Sequence, residues 1–195
     1  TGRDGELQAF TGRVLLDGLS ELTTQNSTNS ERAIFVLDTS LSSQPTRFGI
    51  NRALLAEILS QNSDLQEFAI LSFDLGAEWL TEGFVPNTAA QRESALNRVD
   101  RILLEGATRF DAVADAIADA EWITEDVDLF LLSDGSINWG TQSPDQVALT
   151  LNRMNRVFAY RTGVGAENLS LYRTLTRRGG VFTCLTMESL PACAT

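Results

Sequence analysis

The chain has 195 residues, 43% of them hydrophobic, and a formal charge of −11 from 15 basic and 26 acidic side chains, which is enough material for one domain with a sizeable core. That acidity, with a pI near 4.4, argues against nucleic acid and anionic membrane surfaces as partners, and no apolar run is long enough for direct membrane insertion. All fifteen basic residues are Arg; His and Lys are absent. Their absence excludes a Ser-His-Asp triad, a His-ligated zinc, a lysine Schiff base and a P-loop lysine.

Residues 1–30 read as an extension or linker. Leu7, Phe10, Val14, Leu15, Leu19 and Leu22 follow helical spacing, although Gly12 and Gly18 weaken a helix, and Phe10, Val14 and Leu16 would equally share one side of a strand. The polar run Thr23 to Ser30 then reads as a connector. Ala33 to Leu37 is an unbroken apolar run, as expected of a strand buried on both faces of a parallel sheet, and it ends in Asp38-Thr39-Ser40-Leu41-Ser42. Pro45 opens a helix whose face carries Phe48, Leu54, Leu55, Ile58 and Leu59. Phe68 to Phe73 is a second buried strand, and Glu78 to Val85 alternates as an edge strand would. Ala89 to Leu104 and Phe110 to Trp122 are expected helices, separated by the small-residue turn Gly106-Ala107-Thr108. Asp128 to Ser133 is another buried strand, followed by Asp134-Gly135. Ser143-Pro144 starts a helix, Arg156 to Tyr160 is a strand, Glu167 to Arg178 a helix and Val181 to Leu185 a last strand. Strands alternating with helices imply a doubly wound α/β domain over residues 31–187, with a tail at 188–195.

Three loops thus carry oxygen donors at strand ends or helix starts. Each has an ordinary explanation. Ser40 and Ser42 suit a turn, Thr108 with Asp111 suits a capping box, and Asp134-Gly135 suits a tight turn. Their joint order and spacing point elsewhere. D-x-S-x-S after the first buried strand, Thr before a helix, then S-D-G after a later strand resembles the von Willebrand factor type A domain and its metal-ion-dependent adhesion site. All five positions have a counterpart here: Asp38, Ser40, Ser42, Thr108 and Asp134.

The resemblance implies a Rossmann-like, mostly parallel six-stranded sheet with helices on both faces and one antiparallel edge strand. It implies a cofactor, Mg²⁺, with Mn²⁺ or Ca²⁺ as substitutes. Ser40, Ser42 and Thr108 would supply hydroxyl ligands, while Asp38 and Asp134 would act mainly through bound water. A cation held by neutral hydroxyls stays under-neutralised and attracts a carboxylate from outside. The expected function is therefore a non-enzymatic, cation-dependent module that captures an Asp or Glu side chain of a protein partner, as in adhesion or complex assembly. Mg²⁺-dependent phosphotransfer and a scaffold without a functional metal are the competing readings. An extracellular, periplasmic or cell-surface location is favoured over a cytoplasmic one. The family usually ends in a helix after its last strand, and no such helix is legible here.

Around the site, Trp139 and Arg109 are candidate rim residues for the partner, although packing and solvation explain them equally. Asp111, Asp115 and Asp119 recur on one helix as a solvated acidic face. Trp79 and Trp122 read as packing residues. Cys184 and Cys193 fit either a disulfide or two thiols, and Asn26-Ser27-Thr28 and Asn168-Leu169-Ser170 fit a glycosylation pattern or plain polar surface.

Overall fold

The computed structural model describes residues 30–43, 45–124, 126–133, 139–140, 144–151, 153–162, 172, 174–176, 178–187 and 190. The N-terminal extension, both glycosylation patterns, Cys193 and most of the expected 167–178 helix lie outside them. In chain order the elements are β1 (Arg32–Asp38), α1 (Pro45–Gln61), β2 (Glu67–Phe73), β3 (Ala77–Trp79), β4 (Val85–Pro86), α2 (Ala89–Val99), α3 (Asp111–Asp119), β5 (Val127–Leu132), α4 (Pro144–Leu151), β6 (Val157–Arg161) and β7 (Gly180–Thr183).

The strands form one sheet in the order β3-β2-β1-β5-β6-β7, with β4 also on β2. β1 is the hinge of this order. It runs parallel to β2 on one side, from Arg32 opposite Glu67 to Asp38 opposite Phe73. On its other side it runs parallel to β5, from Arg32 opposite Val127 to Leu37 opposite Leu132. The chain direction of winding reverses between β1 and β5, so the carboxyl ends of these two strands border the crevice where doubly wound sheets bind ligands.

Period-two alternation of the buried strands sends side chains into two cores. Ile34 and Val36 of β1, with Leu129 and Leu131 of β5, pack against Val113 and Ile117 of α3 and Val147 and Leu151 of α4. Tyr172 and Leu175, in helical conformation, join this side. Ala33, Phe35 and Leu37, with Phe130 and Leu132, pack against α1 and α2 through Leu54, Leu55, Ile58 and Val99. Phe35 and Phe130 stack in the second core at 4.9 Å. Trp79 and Trp122 pack edge to face at 4.7 Å, as their expected packing role requires.

The sheet has seven strands rather than the expected six because the 78–85 edge is two short pieces, both antiparallel to β2. Between them a side chain replaces the backbone acceptor: the Ile70 amide donates to Thr81 Oγ1 at 3.1 Å. Gly83, at φ +74°, then takes the left-handed turn that carries the chain to β4. The expected helix from Ala89 to Leu104 ends at Val99, where Asp100 caps it. Arg52 of α1 grips the Asp100 carboxylate at 2.7 and 2.8 Å, and residues beyond it are drawn into a loop at the top of the sheet.

Two ion pairs give the fold testable weights. Asp128, almost fully enclosed, receives Arg156 Nη2 at 2.5 Å, Arg156 Nε at 3.1 Å and Asn155 Nδ2 at 3.1 Å. Removing the guanidinium strands a buried carboxylate, so Arg156→Ala should cost about 3 kcal/mol in denaturant unfolding, with Arg156→Lys recovering part of the loss. The Arg52–Asp100 pair is half-exposed. The hydrogen bond from Arg52 holds the Asp100 carboxyl below its ordinary pKa, so the pair stabilises the fold above the normal carboxylate range and fades as pH falls through the lowered value. Asp100→Asn should therefore cost about 0.5 kcal/mol at pH 7 and less at pH 3; an equal cost at both would contradict this assignment.

Candidate metal centre

The first loop of the site folds on Asp38 itself. At the end of β1 the Thr39 amide and hydroxyl both donate to Phe73 O of β2, at 2.9 and 3.0 Å. Ser40 N then donates back to Asp38 Oδ1 at 3.0 Å, a local turn of the kind Asp readily forms. Ser43 Oγ donates to Asp38 O, and Ser43 N to Ser40 O, closing the short 3₁₀ turn Leu41–Ser43. The result presents the Ser40 and Ser42 hydroxyls on the same side as the Asp38 carboxylate.

The second loop is tied to the first by two backbone hydrogen bonds, Glu105 N to Thr39 O and Leu41 N to Gly106 O, both at 3.2 Å. Gly106 adopts φ +72°, which only glycine takes without strain, and this turn delivers Thr108 inward. The third loop leaves β5 at Ser133. Where it is described again, Trp139 N donates to Thr108 O at 3.3 Å and Trp139 bridges Arg109.

Four hydroxyls and one carboxylate meet where the loops converge. Asp38 is fully buried and accepts from Ser40 Oγ at 2.7 Å on one oxygen and from Ser133 Oγ at 2.6 Å on the other. Ser40 Oγ lies 2.9 Å from Ser42 Oγ and accepts from Thr108 Oγ1 at 2.9 Å. A hydroxyl has one proton and two lone pairs. Because Ser40 donates its proton to Asp38, the Ser42 hydroxyl donates into Ser40, as Thr108 does.

This arrangement decides among the ordinary readings of Thr108. A capping box would use its hydroxyl on the first turn of α3, yet the N-cap there is Phe110, which makes no side-chain cap bond. Thr108 Oγ1 reaches across 68 positions of sequence to Ser40 instead. Ser133, the first residue of the S-D-G motif, is not among the five expected ligands, yet its hydroxyl bonds the Asp38 carboxylate. Only the pairing of β1 with β5 shows that its hydroxyl reaches Asp38.

Asp134 itself lies outside the described residues. Of the expected rim residues, Trp139 is 62% exposed, so it is not a packing tryptophan. Arg109 sits on Asp111 at 3.2 Å and Asp115 at 3.8 Å. Asp119 is exposed, while Asp111 and Asp115 are partners of that arginine rather than a purely solvated face. Cys184 is buried beside Thr186 O, at the far end of β7.

Among the described residues no group of three or more His, Cys, Asp or Glu side chains could hold a metal. The donor set at Asp38 is of another kind. It consists of oxygens only, with the Ser42 and Thr108 hydroxyls gathered on Ser40 and Ser40 bonded to the buried Asp38 carboxylate, which suits a hard cation such as Mg²⁺ and suits a thiol- or imidazole-seeking metal poorly. The residues present fit the implied ion.

No family model matches this sequence, and no curated protein matches it. Solved structures do. A von Willebrand factor type A protein from Catenulispora acidiphila superposes with a TM-score of 0.70 at 15% identity, over 85% of this chain and 41% of that one. Proximal thread matrix protein 1 from the mussel byssus, in a form with a zinc-occupied metal-ion-dependent adhesion site, gives 0.60 at 17% identity over 84% of this chain and 44% of that one. Manganese-loaded TRAP from Plasmodium vivax gives 0.59 at 16% identity over 86% and 72%. The chain thus spans less than half the length of the first two. At these identities the likeness is one of fold: the chain has the mostly parallel, Rossmann-like α/β fold of the von Willebrand factor type A domain.

Proposed function

We propose that this domain is a divalent-cation-dependent protein-binding module, with Ser40, Ser42 and Thr108 as hydroxyl ligands and Asp38 and Asp134 steadying the ion through water. The observation that carries the reading is the meeting of the Ser42 and Thr108 hydroxyls on Ser40, itself bonded to the buried Asp38 carboxylate, with Thr108 diverted from the helix cap it would otherwise make. When bound, Mg²⁺ supplies a coordination position for a carboxylate oxygen. Asp38 and its two serine donors keep the hydroxyls preorganised, and the exposed Trp139 and Leu41 flank the opening as apolar contacts for a partner.

The partner in this reading is a protein presenting an Asp or Glu side chain. Neighbours of the same fold include a manganese-loaded and a zinc-occupied protein and a pilus adhesin, SpaC from Lactobacillus rhamnosus; they support an adhesive or assembly role outside the cytoplasm. No helix among the described residues is long and apolar enough to cross a membrane.

Two measurements test the site. Mg²⁺ or Mn²⁺ at tenfold over its dissociation constant should stabilise the folded chain by about 1.4 kcal/mol, a rise of about 3–6 °C in melting temperature. Ser40→Ala and Thr108→Val should each lose most of that rise while still melting cooperatively; a metal response unchanged in both would dismiss the ligand assignment. Second, capture of an immobilised Asp-containing peptide partner should vanish in EDTA and return with Mg²⁺, because a chain at −11 repels acidic partners unaided. Capture that persists in EDTA would refute the carboxylate-on-metal reading.

A further inference from the structure

The end of β5 is gripped at two consecutive carbonyls, one from each face of the sheet. From α1, Asn51 Nδ2 donates to Leu132 O at 3.4 Å. From the opposite face, the Tyr172 hydroxyl donates to Ser133 O, 39 positions earlier in sequence. Tyr172 is fully buried and belongs to the core that holds Val113, Ile117 and Leu175. Its carbonyl accepts from the Thr176 amide at 3.0 Å and the Thr176 hydroxyl at 2.7 Å, the bonds of a helical turn. Ring and backbone are thus both fixed, and a buried tyrosine hydroxyl requires an acceptor. The one it finds is a residue of the metal centre.

Ser133 is the link between the two. Its carbonyl is held by Tyr172, and its hydroxyl donates to Asp38 Oδ2 at 2.6 Å. The other Asp38 oxygen is held within its own loop, by Ser40 N at 3.0 Å and Ser40 Oγ at 2.7 Å. Orientation of the Asp38 carboxylate across the crevice therefore depends on Ser133, and Ser133 depends on Tyr172. The same carbonyl belongs to the planar peptide that joins Ser133 to Asp134, so one hydroxyl constrains the approach to both acidic positions of the site. We infer that Tyr172 is a positioning residue for the metal centre, acting through Ser133 on Asp38 and so raising affinity for the cation. The inference rests on the cation-binding reading above and adds to it a residue that is no ligand. Partners that orient the groups around a metal typically change its affinity by about 10–100-fold when removed. A core hydrogen bond elsewhere in the fold contributes to stability alone.

Calorimetric Mn²⁺ titration of the full chain, set beside thermal melting of the metal-free protein, tests it. Tyr172→Phe removes one oxygen and keeps the ring that fills the core, so it should melt cooperatively, somewhat below wild type. Its Mn²⁺ dissociation constant should rise about tenfold or more. Thr81→Val is the control, because it removes another buried hydrogen bond, the one from the Ile70 amide at the β2 edge. It should lower the melting temperature and leave the Mn²⁺ constant unchanged. Because Tyr172 acts through Ser133, Tyr172→Phe should add nothing to the loss caused by Ser133→Ala when the two are combined. An unchanged constant in Tyr172→Phe overturns the inference, as does an equal loss in Thr81→Val or a multiplied loss in the double variant. A wild-type chain that binds no Mn²⁺ overturns the cation-binding reading and this inference with it, whereas the other outcomes leave that reading standing.

Discussion

A carboxylate with no solvent exposure must be hydrogen-bonded, and Asp38 obtains bonds from its own loop and from a segment 95 positions away. Its own loop gives Ser40, and the end of β5 gives Ser133. Ser40 in turn recruits Thr108 from the loop before α3. This network closes only if β5 lies beside β1 with both strands ending at the same height, which is what the parallel register from Arg32–Val127 to Leu37–Leu132 provides. The crevice is therefore a consequence of the winding, and the buried carboxylate is what fixes the three loops within it.

The chemistry of the donors sets what the crevice can do. Acidic side chains around a cation would neutralise it and leave little pull on a further anion. Hydroxyls bring oxygen lone pairs without charge, so the positive field of a bound ion would remain directed outward. The same hydroxyls satisfy one another in the protein alone, with Ser42 and Thr108 both donating into Ser40. Ligation would ask them to rotate rather than the backbone to move, a small reorganisation for a preformed site.

Much of this was legible in the sequence because it rests on local patterns. The apolar runs at 33–37, 68–71 and 129–132 read as strands buried on both faces, and all three are. The spacing of Asp38, Ser40 and Ser42 was visible as a motif because one turn creates it. What was not legible depends on partners distant in sequence. The edge strand splits because Thr81 supplies a side-chain acceptor to Ile70. Helix α2 stops short at Val99, and the Asp100 that caps it is held by Arg52, 48 residues earlier. Ser133 looked like the last residue of a strand until the pairing of β1 and β5 brought its hydroxyl to Asp38.

Arg109 shows how the local charges bear on the site's selectivity. An arginine beside the opening would ordinarily attract a carboxylate by itself. Here it lies against Asp111 and Asp115, so the trio carries a net −1 and faces any acidic partner with repulsion. Each contact, half-exposed, is worth no more than about 1 kcal/mol, so the arginine is not locked in place. The repulsion, however, comes from the sum of the charges and survives any rearrangement among them. Arg109 therefore adds no net attraction for a carboxylate at this end of the sheet, whereas a cation held on the cluster of neutral hydroxyls beside Asp38 would supply it.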